Sequence, residues 1–167
     1  MSQILPRTET ESAELGTSNL NIRKIVVAID LTPRSQKTAA YAAEFAKRLD
    51  AALTVVHVFA PEPVTEFTSE QAQEAFAEGR RRTVAKLAKL IENLRRTGVE
   101  CHDDFRVGDP AEEVVLAAHA IDADLIITTS HHPGFLGRTL GWDQAPRIFH
   151  RASCPVLVYQ AEAVGSS

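Results

Sequence analysis

The chain has 167 residues, of which 44% are hydrophobic and 24% charged, and its formal net charge is −4. That length fits one domain, and the composition is that of an ordinary globular protein, which excludes fibrous chains and wholesale disorder. The acidic balance argues against a nucleic-acid partner, because binding to phosphates by charge needs a basic face.

Residues 1–21 are rich in Ser, Thr, Glu and Asn and show no apolar period. We predict a flexible polar tail there, because such a segment buries too little surface to offset its ordering entropy. The segment lacks the apolar stretch of a secretory signal, and no apolar run in the chain reaches the roughly 18 residues of a spanning helix. We therefore expect no membrane partner. Residues 161–167 are predicted to form a C-terminal tail, which leaves one domain over 22–160.

The first predicted strand is the apolar, β-branched run 25–29, which Asp30 ends. A run of this kind is typical of a strand buried on both faces of a parallel sheet. Thr32 and Pro33 then predict the cap and the first residue of a helix. We expect that helix to bury one apolar stripe, which consists of Tyr41, Ala42, Phe45, Ala46 and Leu49.

The rest of the domain continues this alternation. Further strands are predicted at 53–59, 99–107, 125–128 and 155–159, the second of them polar enough for a sheet edge. Helices are predicted at 68–97, from Asp109-Pro110 onward and at 145–151. The long helix is expected to bury its apolar side, formed by Phe76, Val84, Leu87, Leu90, Ile91 and Leu94.

The alternation of strands and helices predicts the fold class. It indicates an α/β domain with a single open parallel five-stranded sheet and helices on both faces. Ligands of such folds bind beyond the carboxyl ends of the strands, where the winding direction reverses. The periodicity leaves open which strands flank that reversal.

Four segments of the chain carry a recognisable pattern: IRKIVVAIDLTPRS, LTVVHVF, GDPAEEVVLAAHAIDADLIITTS and SCPVLVYQ. In this order they resemble the universal stress protein family over about residues 22–160. The resemblance implies a Rossmann-like sheet of the adenine nucleotide α-hydrolase type, with the strand order 3-2-1-4-5. It also implies a homodimer that forms through the last strand, at Val156, Leu157, Val158 and Tyr159.

The resemblance places a ligand crevice between the ends of the first and fourth strands. Asp30 matches the aspartate that the family uses on the ribose or adenine side, although it is also a good turn residue or helix cap. Val56 lies in the strand whose backbone groups read adenine. The complete set of candidate cofactor-binding residues is Asp30, Leu31, Thr32, Val56, Thr129, Ser130, His132 and Gly141.

The glycine motif of the family is altered in this chain. Members that bind ATP carry Gly-x-x-Gly, nine residues and then Gly-Ser or Gly-Thr after the fourth strand. Here Thr129 and His132 stand at the first two glycine positions, eight residues separate His132 from Gly141, and Trp142 replaces the hydroxyl residue. Glycines let the main chain approach phosphates closely, so we expect these three side chains to fill the space of a triphosphate. We therefore predict no tightly held cofactor.

ATP binding remains open as an alternative. In that interpretation Asp30, Val56 and the first turn of the helix at Thr32 carry the nucleotide. Basic or donor side chains then replace the glycines around the phosphates, and the candidates are His131, His132, Arg138 and Arg147.

Several other residues have side chains that could form a site. His57 lies in an apolar strand and is expected to be a core histidine that bonds to backbone, rather than a ligand. The pair His131-His132 lacks a third ligand at metal spacing, so no metal site is predicted. Cys101 and Cys154 are interpreted as structural, and so few cysteines indicate a reducing compartment, the cytoplasm.

No nucleophile stands at a recognisable spacing from a base and an orienting group, so no enzyme is predicted. The sequence instead predicts a non-enzymatic, dimeric regulatory or interaction module of the stress response with an unidentified protein partner. The alternative is an ATP or AMP sensor with a rebuilt phosphate loop. A hydrolase or nucleotidyl transferase on the same fold is a third and weaker hypothesis.

Overall fold

The computed structural model describes residues 21–60, 69–130 and 144–160. Strands and helices alternate through them, as the sequence predicts, and the predicted ends differ from the observed ends by a few residues. The elements are β1 (Lys24–Ile29), α1 (Pro33–Leu49), β2 (Ala52–Phe59), α2 (Ser69–Arg95), β3 (Cys101–Val107), α3 (Pro110–Ala120), β4 (Leu125–Thr129), α4 (Gln144–Arg151) and β5 (Val156–Tyr159).

The five strands form one parallel sheet in the order β3-β2-β1-β4-β5, which confirms the fold class and the strand order. β1 lies in the centre, between β2 and β4, so the winding direction reverses there. The carboxyl ends of β1 and β4 therefore flank the position where ligands of such sheets bind. β3 and β5 are the two edge strands.

Two apolar layers cover the sheet. Successive strand residues point to opposite faces, so Ile25 and Val27 lie in one layer while Val26 lies in the other. The first layer includes residues of α1 and α2, and the second includes residues of α3 and α4. The central strands are buried on both faces, which is why they read as continuous apolar runs.

The buried stripe of α1 differs from the prediction. Tyr41 is 36% exposed and Leu49 is 39% exposed, whereas the buried positions are Ser35, Thr38, Ala39, Ala42, Ala43 and Ala46. Small side chains face the sheet because they let the helix axis approach it closely. The large apolar residues are displaced to the flanks of the helix.

The apolar side of α2 is confirmed only in its second half. Leu87, Ile91 and Leu94 are buried, but Phe76 is 37% exposed and Val84 is 43% exposed. The first half of the helix therefore lies at the margin of the sheet. Of the helices that the structure describes, none is long and apolar enough to cross a membrane.

Candidate functional site

The crevice begins with a tight turn after β1. One carboxylate oxygen of Asp30, Oδ1, accepts hydrogen bonds from the backbone N–H of Thr32 at 3.0 Å and from its hydroxyl at 2.6 Å. The Thr32 hydroxyl in turn accepts a bond from the backbone N–H of Ser35 at 3.3 Å and caps α1. The predicted cap is thus confirmed, and Asp30 orders the turn that leads into it.

Leu31, between these two residues, has a φ of 62°. A leucine in the left-handed region costs roughly 1–2 kcal/mol, so the surrounding contacts must hold it there. Its side chain packs against the apolar layer under α1, and its carbonyl accepts a bond from the side chain of Gln36 at 3.3 Å. The turn is therefore a strained segment at the edge of the crevice.

Thr129, at the end of β4, turns its side chain away from the crevice. It is 4% exposed, and its hydroxyl donates to the hydroxyl of Thr38 on α1 at 2.8 Å. Thr38 is fully buried and donates onward to the carbonyl of Arg34 at 3.4 Å. The side chain therefore lies in the layer between sheet and helix, and the expectation that its Cβ fills the space of a triphosphate stays a prediction.

Ser130 follows β4 at the mouth of the crevice and is partly exposed. Its backbone N–H donates to the carbonyl of Tyr159 at 3.0 Å, which extends the pairing of β4 with β5 by one bond. One wall of the crevice is thus tied directly to the edge strand.

The pairing of β2 with β1 puts Val56 inside the sheet and not at the carboxyl end of β1, where the crevice lies. Val56 is buried and pairs with Ala28, inside the part of β2 that β1 covers. The last pair of these strands is Ile29 with His57. Backbone groups alternate in direction along a parallel strand, so those of Val58 point to the side of β1 just beyond its end. Val58 therefore lies nearer the carboxyl end of β1 than Val56 does, which only the register reveals, and the predicted role of Val56 stays a prediction.

His57 is a core histidine, as the sequence predicts. It is 7% exposed, and its Nδ1 donates to the carbonyl of Ile29 at 2.9 Å. Burial lowers the pKa of this imidazole, and the bond to Ile29 and the charge of Asp30 offset that effect only in part. The neutral ring thus connects β2 to the end of β1.

The side chain of Arg147 forms hydrogen bonds within the protein. Its guanidinium donates to both carboxylate oxygens of Asp109, at 2.9 and 3.0 Å, and to Gln144 at 3.0 Å. The hydrogen bonds from Arg147 lower the pKa of Asp109, which also caps α3 by accepting from the N–H of Glu112. The arginine that was a candidate phosphate ligand therefore joins α4 to α3.

The remaining candidates follow β4 in the segment 131–143. His131, His132, Arg138, Gly141 and Trp142 all lie outside the described residues. The predicted roles of His132, Gly141 and Trp142 around a triphosphate stay predictions.

The two cysteines lie away from the crevice, and neither forms a disulfide. Burial raises the pKa of the Cys101 thiol to about 11, and it also raises the pKa of Cys154. A raised pKa leaves little thiolate at neutral pH, and thiolate is the reactive form. Both residues fit a structural role.

Comparisons with known proteins identify the family to which this chain is similar. Residues 21–160 match the profile of the universal stress protein family. A universal stress protein of Methanocaldococcus jannaschii is 30% identical over 137 residues, which cover 81% of each chain.

Two solved structures with bound nucleotides share the fold. A universal stress protein in complex with cAMP has a TM-score of 0.66 at 19% identity, covering 85% of this chain and 99% of the other. The universal stress protein of Archaeoglobus fulgidus in complex with dAMP has a TM-score of 0.56 at 23% identity, covering 83% and 98%. With the family profile matched over residues 21–160 and the strand order reproduced, this chain belongs to the universal stress protein family.

Proposed function

We propose that this protein acts in the stress response as a non-enzymatic, dimeric regulatory module whose crevice does not hold ATP tightly. Membership of the family supports the stress-response role. Dimerisation through β5, the weak hold on ATP and the absence of catalysis belong to the proposal. So does the unidentified protein partner on which such a module would act.

The main observation behind the proposal is that backbone N–H groups of the crevice turn already donate hydrogen bonds to acceptors within the protein. The N–H of Thr32 donates to Asp30, the N–H of Ser35 donates to the Thr32 hydroxyl, and the N–H of Gln36 donates to the Thr32 carbonyl. A phosphate at this helix start would have to replace bonds that the protein already makes. Arg147 is similarly neutralised by Asp109. An anion therefore gains little at either place.

The β5 edge supports the dimer. Its four residues are apolar or aromatic, and Val158 is 47% exposed. The ring of Tyr159 stacks on Tyr41 of α1 with centroids 4.3 Å apart, and Tyr41 lies next to Phe45 at 6.1 Å. An exposed apolar edge strand is a template for another strand, and a twofold copy of β5 satisfies it without leaving a further edge open.

Extraction of nucleotides from the purified protein tests the weak hold on ATP. We expect the denatured extract, analysed by mass spectrometry, to contain far less than one nucleotide per chain. ATP or AMP at one equivalent per chain would contradict the proposal.

An ATP or AMP sensor is the second candidate function. It is favoured by the orientation of Thr129, whose buried hydroxyl leaves the crevice floor clear of that side chain. The cAMP and dAMP complexes of proteins with this fold support it as well. Asp30 and the backbone of Val58 would then hold the nucleoside.

Titration calorimetry with ATP and Mg²⁺ separates the two candidates. The sensor requires saturable heat from the wild type that Asp30→Ala abolishes and that Asp103→Ala, at an exposed position of β3, retains. No saturable heat from any of the three proteins would exclude the sensor. A reducing compartment such as the cytoplasm is proposed for both candidates, because Cys101 and Cys154 are both free thiols.

A further inference from the structure

His57 connects the core of the sheet to the crevice turn. The bond from its Nδ1 to the carbonyl of Ile29 ends at the residue directly before Asp30. A carbonyl oxygen only accepts, so Nδ1 carries the proton and Nε2 of the neutral ring carries none. Protonation of His57 would therefore add an N–H at Nε2 and a positive charge, shared by both ring nitrogens, inside the apolar layer.

The surroundings of His57 solvate a positive charge poorly. The neighbouring side chain on β3 is Phe105, whose ring centroid is 6.0 Å from that of the imidazole. The guanidinium of Arg80, from α2, lies over the same Phe105 ring at 5.8 Å. A cation at His57 would thus share one aromatic neighbour with a second cation.

The described strands and the crevice turn contribute two carboxylates to this side of the sheet, at Asp103 and Asp30. Asp103 shares the face of Phe105 on β3, but it is exposed and its register partner in β2 lies two residues before His57. On β3, Asp104 and Arg106 flank Phe105 but point to the opposite face, where they pair with each other at 2.9 Å. The first turns of α1 carry Arg34 and Lys37, which are both basic. The carboxylate of Asp30, at the end of β1, is the group whose charge favours the protonated imidazole.

Asp30 is also the residue that holds the crevice turn. The same carboxylate accepts the N–H and the hydroxyl of Thr32, and through Thr32 it orders the first turn of α1. A positive imidazole would compete with Thr32 for this carboxylate. The strained backbone at Leu31, with its φ of 62°, would then lose part of what holds it in place.

We propose that His57 is an acid-sensitive control of the crevice, and that its protonation draws Asp30 away from Thr32 and loosens the start of α1. The inference rests on the crevice being the functional site of the proposed function. It adds a regulatory input to that site, namely the proton. The module would then change the shape of its crevice when the interior of the cell becomes acidic.

The direction of the effect follows from burial. Burial holds the pKa of His57 below its ordinary value of 6.5 in the folded protein. The neutral ring therefore contributes stability that is fully present above pH 6.5 and is lost as the pH falls from there through the folded pKa. The loss begins below pH 6.5, whereas ordinary carboxylates titrate near pH 4.

Heteronuclear NMR of the full chain, recorded from pH 7.5 to 4.5 without nucleotide, tests the proposal. The ring signals of His57 and the backbone amides of Leu31 and Thr32 are followed together. We expect the two amides to shift with the same midpoint as the imidazole. An imidazole that titrates while both amides stay fixed, or amides that move with a different midpoint, would overturn the proposal.

Two variants sharpen the measurement. His57→Asn keeps a side-chain donor for the Ile29 carbonyl but has no titrating ring, so the amide shifts of Leu31 and Thr32 are expected to disappear. His102→Asn removes an exposed imidazole of β3 and should leave them unchanged. Shifts that persist in His57→Asn would overturn the proposal, and the wild-type midpoints decide it if that variant fails to fold.

These readouts are independent of dimer mass and nucleotide content. A failure of the proposed function therefore appears in the oligomeric mass or in the extracted nucleotide, whereas a failure of this inference appears in the amide shifts.

Discussion

The two edges of the sheet are built in opposite ways. β5 has four residues, none of them charged, and its exposed side chain is Val158. β3 has seven residues and carries His102, Asp103, Asp104 and Arg106. The guanidinium of Arg106 lies 2.9 Å from Asp104 and 3.3 Å from Glu113 of α3, and all three side chains are mostly buried. The β5 edge is thus short and apolar, whereas the β3 edge is charged and is held by ion pairs.

This difference supports the proposal that β5, rather than β3, pairs with another chain. Charged side chains on an edge strand oppose pairing with a second strand, because they would have to be desolvated against it. The β3 edge is protected in this way, and the β5 edge is not. We therefore expect the two edges to respond differently to the same substitution.

The largest expected effect is on the mass of the protein when a charge is placed on β5. Val158→Lys puts an ammonium group at the proposed interface, where burying it unpaired costs several kcal/mol. We expect dimer dissociation to become easier by on the order of 100-fold or more, so that light scattering at micromolar concentration detects monomer.

Val107→Lys is the matched control on the other edge. Val107 is 45% exposed on β3, close to the 47% of Val158 on β5. This variant should keep the wild-type mass. A change of mass in Val107→Lys, or wild-type mass in Val158→Lys, would show that the comparison of the two edges is wrong.

A smaller effect, on the free energy of unfolding, is expected from Thr129→Gly in β4, the strand that pairs with β5. Thr129 pairs in register with Tyr159, and its hydroxyl is bonded to Thr38 in the core. Restoring the glycine of the family motif removes that bond and should cost about 2 kcal/mol of unfolding free energy in urea denaturation. It should not create ATP binding, because the lost side chain lies outside the crevice.

Thr129→Ser keeps the hydroxyl and should recover most of that stability. A Thr129→Gly protein that binds ATP in calorimetry would contradict the orientation of this side chain and would favour the sensor.

The smallest effect is expected from Arg147→Met, in the helix that leads into β5. Both partners of the pair with Asp109 are more than a third exposed, so its loss should cost no more than about 1 kcal/mol. The lowered pKa of Asp109 means that this stability is present above its ordinary value of 3.8 and is lost as the pH falls through the folded value.

Urea denaturation at pH 7 and at pH 3 checks this sign. The difference between the wild type and Arg147→Met should be larger at pH 7 than at pH 3. An equal difference in unfolding free energy at pH 7 and at pH 3 would mean that the bond between Arg147 and Asp109 does not cause the loss of stability.

The sequence predicts the strands and the helix starts well, because these depend on local patterns. Apolar β-branched runs mark the central strands, and Thr32-Pro33 and Asp109-Pro110 mark two helix starts that the structure confirms. The predicted burial of Tyr41 and Phe76 is wrong. In α1 the small residues face the sheet in place of Tyr41, and in α2 the half that contains Phe76 lies at the margin of the sheet.

The candidate site was harder to predict than the fold. Asp30 and Thr32 could be located because the turn is local in the chain. The direction of the Thr129 side chain depends on its partner Thr38, which is 91 residues away. The position of Val58 depends on where β1 ends against β2, which is a matter of register. No pattern within one segment contains such information.

Native mass spectrometry of the purified full chain tests the central claim most directly, because it reports dimer and ligand together. We expect a species of twice the chain mass of 18.3 kDa with no bound nucleotide, which Val158→Lys converts to the single chain. A wild-type protein that sprays as a monomer at micromolar concentration, or a dimer that carries one nucleotide per chain, would contradict it.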